Sequence, residues 1–437
     1  MPPIREELED WLRIPSVSTG GGDAEALGRA CDWAIERIEG AGGTAERVSV
    51  NGSHPMVVGE LRAAQPGAPT VLSYGHYDVQ DPGPLDAWES PPFEPTERDG
   101  RLYARGAADD KGNFLPLLHV ACELASAGEL PVNVRFLVEG EEEIGSNAVI
   151  RHLRDQPPEV DCAIVFDSLM ADERTPAINT SARGLVQGPV EVRTGARDLH
   201  SGLYGGAVLN ATHVLIDVLR EVLPGPDGRA RGELRAGTTA PSDAERESWA
   251  LLPTGAEMLG EAGAAEVTPG AAAEFWERTG AEPSVDVNML TGGEPRTVIP
   301  SVARAQLSIR LAPGQSAAEI AAEAERLLRA SVPDGAELSV QLDLAEPALF
   351  DAGEPALQLA AEAFERACGT RPAFVRLGGT LPLLAVLAEQ GVPTIVSGFA
   401  LGADAFHAPN ESYRLESLRL GELTARELYR ALADLPR

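Results

Sequence analysis

Short runs of histidine and carboxylate recur along this chain at positions that could hold metal ions. His76 and Asp78 stand two apart in GHYD, Asp109 and Asp110 are adjacent in AADDKG, and Glu141, Glu142 and Glu143 form a triplet in EGEEEIGS. Asp167 closes CAIVFD, and His407 lies in FHAPNES. Imidazole nitrogen and carboxylate oxygen together suit zinc, manganese or cobalt, and a set without cysteine suits hydrolysis better than a structural clip. Taken singly, each run has an ordinary explanation: a His near an Asp is commonly a surface or capping pair, three glutamates are commonly a solvated face, and Asp-Asp before a helix compensates its dipole. Their placement relative to the secondary structure is what singles them out.

The strand-like runs TVLSY (70–74), VNVRFLVEG (132–140), CAIVFD (162–167) and TIVSG (394–398) are too short for helices. His76 and Asp78, the glutamate triplet, Asp167 and His407 all sit at or just beyond their carboxyl ends. Asp109 and Asp110 immediately precede a helical run, GNFLPLLHVACELASAG (112–128), which contains Pro116. Strands separated by helices, such as the one expected over 23–40, imply an α/β sheet covered on both faces, and such sheets gather ligands beyond their strand ends.

The rhythm changes in the middle. A strand over 185–195, a helix over 207–223, strands over 284–290 and 303–313, a helix from Ser316 and a strand over 337–344 follow in order. Strand, helix, strand, strand, helix, strand is a ferredoxin-like α+β unit. On the strand 303–313, Leu307, Ile309 and Leu311 share one face, and Gln306, Ser308 and Arg310 share the other. Ser316 with Glu319 reads as a capping box. About 60 polar residues before 284, rich in Gly, Ala, Pro and Glu, are partly helical around Trp249 and Trp276. The α/β rhythm resumes after about residue 346 and ends in a helix over 415–434. The expected division is one α/β domain (1–184 and 346–437) interrupted by a second domain (185–345).

Composition narrows the function. A formal charge of -31 repels nucleic acid and anionic lipid. No apolar leader opens the chain and no uncharged run of about 18 apolar residues occurs, so a cytoplasmic protein is expected. Cys31, Cys122, Cys162 and Cys368 are too scattered for a disulfide framework and read as buried apolar residues. Among 36 basic residues, Lys111 is the only lysine, and it stands directly after the paired aspartates. A compact ammonium pairing with nearby carboxylates is expected there.

GHYDVQDPG, DAWESPPFEPTERDGRLYARGAADDKG, EGEEEIGS, VFDS, RDLHSGLYGG, RTVIP, SIRLAP and FHAPNES, in this order, resemble the M20 family of metallopeptidases, and within it the cytosolic nonspecific dipeptidase and carnosinase branch. The resemblance implies two divalent metal ions per chain, zinc with manganese or cobalt as alternatives, held by His76, Asp109, Glu143, Asp167 and His407, with Asp109 bridging. It implies Asp78 as the partner that orients His76, Glu142 as the general base, and a cis peptide after Asp109. Asp110 is expected in a supporting position. His200 matches a histidine that reaches into the partner subunit's site of a homodimer, and Thr297, Arg310 and Thr380 match groups that bind substrate. Thr380 replaces a serine, and Leu377 stands where a glutamate is common. His54, His119, His152 and His213 match no ligand, with His119 and His213 expected to pack within helices. The implied activity is hydrolysis of dipeptides with a free C-terminal carboxylate. An N-acyl-amino-acid deacylase or carboxypeptidase is the alternative, and a metal-free binding protein the remote one.

Overall fold

The computed structural model describes residues 2–436. Nine strands form the larger sheet in the order Thr44–Val48, Met56–Leu61, Asn133–Glu139, Thr70–His76, Cys162–Phe166, Thr394–Ser397, Ala177–Ala182 and Ala348–Leu349, with Ala373–Leu377 also pairing to Ala177–Ala182. Its centre is parallel. Every residue of Cys162–Phe166 and Thr394–Ser397 is buried, which requires cover on both faces. Helix Leu415–Leu432 packs on both Lys111–Ala127 and Pro355–Cys368, and Asn147–Asp155 packs on Pro382–Glu389. Gly75, in the strand that ends at His76, meets helix Lys111–Ala127 so closely that a Cβ there would lie 2.4 Å from the Phe114 ring.

A second, antiparallel sheet has the order Ser284–Gly292, Val302–Leu311, Gly184–Arg193, Glu337–Val340. Counted along the chain this is fourth, first, third, second read from the other edge, the ferredoxin-like arrangement expected from the sequence. Val186, Val190, Leu307, Ile309 and Leu311 form its core with helices Ala211–Arg220 and Ala317–Ala330. Where one strand was expected over 337–344 there are two, Glu337–Val340 and Asp343–Ala345, both on Gly184–Arg193. The break lies opposite Gly188 and Pro189, and proline has no N–H to give to the ladder.

Local signals were read with mixed results. Helix Ala211–Arg220 begins four residues later than expected because the Asn210 side chain accepts from Thr212 N–H and His213 N–H. Ser316 caps Glu319 N–H, but only this half of the box forms. Complete boxes occur instead at Ser242/Glu245 and Thr254/Glu257. These sit in the polar segment, which packs against strand Ala373–Leu377 through a buried ion pair of Arg376 and Glu245 at 2.8 Å. His119 is buried against Glu7, at 2.8 Å, whereas His213 lies exposed on the outer face of its helix rather than packed. Among the described residues no helix is long and apolar enough to cross a membrane.

Lys111 is fully buried, but its partners are not the expected carboxylates. Its ammonium donates to the carbonyls of Trp11 (3.0 Å) and Ile14 (2.9 Å). These oxygens lie at and just beyond the end of helix Ile4–Leu12; each already accepts one backbone N–H, Trp11 O from Ile14 and Ile14 O from Ser16, and the ammonium takes their remaining lone pairs. Burial pushes the ammonium pKa down to about 7, partly offset by the charges of Asp78 and Glu411. A guanidinium would have to fit where a single nitrogen now does. Lys111→Arg should therefore lower stability by about 1–3 kcal/mol through overpacking. The measurement is a urea unfolding curve, and an unchanged midpoint would contradict this packing argument.

Candidate active site

The carboxyl ends of three adjacent parallel strands converge. Thr70–His76 ends on His76, which lies opposite Glu139 at the end of Asn133–Glu139, and Asp167 directly follows Cys162–Phe166. Beyond Glu139 the chain turns through the short helix Glu142–Ile144. Asp109 precedes helix Lys111–Ala127, and the Asp109–Asp110 peptide is cis, as the resemblance implies. His407 enters from the loop after Thr394–Ser397, with φ at +61°.

Asp109 lies between the two imidazoles. Its Oδ1 is 3.0 Å from His76 Nε2, and its Oδ2 is 2.9 Å from His407 Nε2. Asp167 Oδ1 lies 4.0 Å from His76 Nε2, and Glu143 Oε2 lies 3.2 Å from His407 Nε2. Donor atoms of His76, Asp109 and Asp167 all fall within 4.8 Å of one another, as do those of Asp109, Glu143 and His407. The two triads share one residue, Asp109.

The donor set fits cations on chemical grounds. His76 Nδ1 is 3.0 Å from the Asp78 carbonyl, which can only accept, so Nδ1 carries the hydrogen. In the neutral ring the Nε2 lone pair then faces two carboxylates, an arrangement that demands a positive charge between them. Asp167 Oδ2 is buried with no hydrogen-bond partner. The same proximity moves protons. Burial would lower the His76 pKa, but hydrogen bonds to Asp109 and Asp78 raise it well above the usual value. Asp109 and Glu143 raise His407 to about 10. Burial works against Asp109, yet His407 and His76 hold its carboxyl low, while burial and the charge of Asp110 push Asp167 well up.

Of the glutamate triplet, Glu143 joins the second triad and Glu142 lines the cavity in front of it. Burial raises Glu142 to about 7; His76 opposes the shift, and the charges of Asp109, Glu143 and Asp78 add to it. Asp78 does more than face His76. Its carboxylate, 3.4 Å from His76 Nδ1, makes its hydrogen bonds to Glu142 N–H (3.2 Å), Glu143 N–H (3.1 Å) and the Ser18 hydroxyl (2.6 Å). Asp110 accepts from the His76 N–H at 3.2 Å, and Gln80 donates to Glu143 at 2.8 Å.

Two supports escaped the sequence reading. The buried Glu411 carboxylate accepts from Arg105 (2.7 Å) and from the N–H groups of Gly106 (2.9 Å), Ala108 (2.8 Å) and Asp109 (3.1 Å), fixing the loop that presents Asp109. Asn113 donates to Ala108 O (3.1 Å) and Ser168 O (3.3 Å) and accepts from Phe399 N–H (2.8 Å) and the Tyr413 hydroxyl (3.1 Å). FHAPNES contained Glu411, but no local pattern shows that it folds back over more than 300 residues. Gly112 is required beside this loop, because a Cβ there would fall 2.0 Å from Ala107 O.

The cavity, of about 310 Å³, is lined by Asp109, Glu142, Asp167 and His407 on one side and by Leu169, Leu377, Thr380, Leu381, Ala400 and Phe406 elsewhere. Arg310, from the second sheet, reaches Thr380 Oγ1 at 2.9 Å. His200 lies on the short strand Leu199–His200, paired antiparallel with Val298–Ile299, Thr297 immediately precedes that partner and accepts from Ser201 N–H, and neither His200 nor Thr297 lines this cavity. A third set, His119, Glu123 and Glu422, also brings donor atoms within 4.8 Å. There the Arg426 guanidinium, 2.8 Å from Glu123 and 3.6 Å from Glu422, already supplies the positive charge.

A family model described as peptidase family M20/M25/M40 matches residues 72–431. The chain is 29% identical over 403 residues to a cysteinylglycine-S-conjugate dipeptidase of Corynebacterium striatum, covering 89% of this chain and 86% of that protein. It is 29% identical over 395 residues to a human Beta-Ala-His dipeptidase, covering 82% and 73%. Among solved structures, an M20 family metallo-carboxypeptidase from Sulfolobus solfataricus shares the fold with a TM-score of 0.85 at 24% identity, covering 99% of this chain and 100% of that one.

Glu411→Gln would turn an amide NH₂ toward N–H donors and loosen the Asp109 loop. Cation affinity, followed by titration into the stripped protein, should weaken by about 10–100-fold. Unchanged affinity would mean that the loop holds its shape without this carboxylate.

Proposed function

The chain belongs to peptidase family M20/M25/M40, and from that we propose that it is a metal-dependent dipeptidase that hydrolyses the peptide bond of dipeptides carrying a free C-terminal carboxylate. The observation that carries this reading is Asp109, one carboxylate with an imidazole nitrogen within 3.0 Å of each oxygen and a further carboxylate in each triad. His76, Asp109 and Asp167 would hold one cation and Asp109, Glu143 and His407 the other, with zinc the proposed metal and manganese or cobalt the alternatives. Bound there, the pair supplies positive charge that acidifies water and polarises the scissile carbonyl.

The chain's own groups do the rest. Glu142 accepts the proton of the attacking water and returns it to the leaving amine, and a carboxyl near neutrality is suited to both transfers. Asp78 holds the turn that aims Glu142 and Glu143. Arg310 receives the substrate's carboxylate. It has no carboxylate partner among the described residues, and Thr380 steadies it. Thr380 is thus a positioning group in this reading rather than a direct donor to substrate.

His200 and Thr297 we assign to the partner subunit's site in a homodimer, because neither lines this chain's cavity and His200 is exposed. Support comes from apolar side chains exposed on the same unit: Leu203 (78%), Tyr204, Leu290 (51%) and Met289, the last two on the outermost strand of the second sheet. Within this reading residues 185–345 are the lid and dimerisation domain, and 1–184 with 346–437 the catalytic domain. A deacylase or carboxypeptidase would use the same machinery. The two dipeptidase relatives, each covering more than four fifths of the chain, favour the dipeptide.

Glu142→Gln should reduce kcat on unblocked dipeptides by about 10²–10⁴-fold while leaving the bound cations in place. In the unmodified enzyme, a base must be deprotonated to act. The rate should therefore fall as pH drops, with an acid limb at or below about 7, since bound cations lower the Glu142 value further. A rate that holds steady in the variant, or release of amino acids only from N-acetylated substrates, would overturn the assignment.

A further inference from the structure

Outside the acid and histidine cluster, each polar side chain that lines the cavity already makes at least one hydrogen bond within the protein. Asn113 makes the four hydrogen bonds described above. Ser168 is buried, with its hydroxyl oxygen accepting from Asn179 at 2.8 Å. The Thr380 hydroxyl donates to Arg183 O at 2.6 Å and accepts from Arg310 at 2.9 Å. What remains facing the space is Leu169, Leu377, Leu381, Ala400 and Phe406.

Of these, Phe406 is exposed, Leu169, Leu377 and Leu381 are half-buried, and Ala400 is buried. Phe406 is 36% exposed at the lip, its ring edge-on to that of His407 with centroids 6.1 Å apart. Leu377 ends its strand half-buried, next to the exposed Gly378 and Gly379. Neither supplies a charge or a hydrogen bond.

We propose that this wall, and Leu377 with Phe406 above all, makes the site selective for substrates whose amine-side residue carries an apolar side chain. The inference rests on the dipeptidase reading for the identity of the bond cleaved. Its physical ground is separate. A polar or charged side chain laid against these apolar residues leaves water and finds no partner among them, whereas an apolar one covers their Leu and Phe surface. Arg310, held at Thr380, is set to receive the carboxylate end, and Phe406, beside His407 in the other part of the lining, is left to the other residue.

The test uses the cation-loaded enzyme on X-Gly dipeptides, with X as Leu, Met, Phe, Ser, Asp or Lys, beside N-butyryl- and N-succinylglycine. The expected kcat/KM for Leu-, Met- and Phe-Gly exceeds that for Ser-, Asp- and Lys-Gly by about tenfold or more. Phe406→Ser, on an exposed side chain, should narrow that ratio to roughly threefold or less, mainly by slowing the apolar substrates. Leu377→Gln should do the same, and if it fails to fold the Phe406 variant decides alone. Equal rates across X, a preference for Asp or Lys, or an unchanged ratio in Phe406→Ser overturns the proposal while leaving a dipeptidase in place. Cleavage of the acylglycines alone overturns the dipeptidase reading instead; the butyryl-to-succinyl ratio, and its response to Phe406→Ser, then supports or overturns the apolar wall. Hydrolysis of none of them overturns both.

Discussion

One carboxylate organises this molecule. Asp109 faces His76 at the end of strand Thr70–His76 and His407 in the loop after Thr394–Ser397, so residues more than 300 apart in sequence meet across its two oxygens. Such a placement is costly without compensation, because buried carboxylates and imidazoles with aligned lone pairs repel unless protons or cations lie between them. The surroundings fix Asp109 there. Glu411 gathers the N–H groups of its loop, the close approach of Gly112 to Ala107 leaves no room for a side chain, and Asn113 ties the same loop to Ser168 and Phe399. A group held this firmly before any ligand arrives is preorganised, and both triads inherit their geometry from it.

The same principle extends outward in two directions. Asp78 couples the strand that ends at His76 to the turn carrying Glu142 and Glu143, so the proposed base cannot shift independently of a proposed ligand. Thr380 links the larger sheet to the second one through Arg310 and the Arg183 carbonyl. The acid and histidine cluster at the strand ends and Thr380, which holds Arg310 of the second sheet, thus line one cavity, and its remaining wall is apolar.

Much of this was legible in the sequence because it depends on local order. Strand ends follow from short apolar runs, the topology of the second sheet follows from the order of its elements, and the residue types at those ends announce metal chemistry. What the sequence hid depends on contacts between distant segments. Glu411 reads as one more acid in FHAPNES until the fold brings it to Arg105. Lys111 reads as the partner of nearby carboxylates, but its chain runs to the helix at the N-terminus, where it donates to the carbonyls of Trp11 and Ile14. Asp78 faces His76 as expected, yet its carboxylate is spent on backbone N–H groups 64 and 65 residues away. Even the broken strand after 337 turns on Gly188 and Pro189 of another strand, which no pattern within 337–344 contains.

As proposed, Asp109 serves two cation sites at once. Native mass spectrometry of the zinc-loaded protein counts the ions directly in the unmodified chain, Glu143→Ala and Asp109→Ala. The account predicts two ions per chain, then one, because His76, Asp109 and Asp167 remain intact, and then loss of both when the shared oxygen donors go. A single ion in the unmodified chain, or two retained in Asp109→Ala, would contradict it.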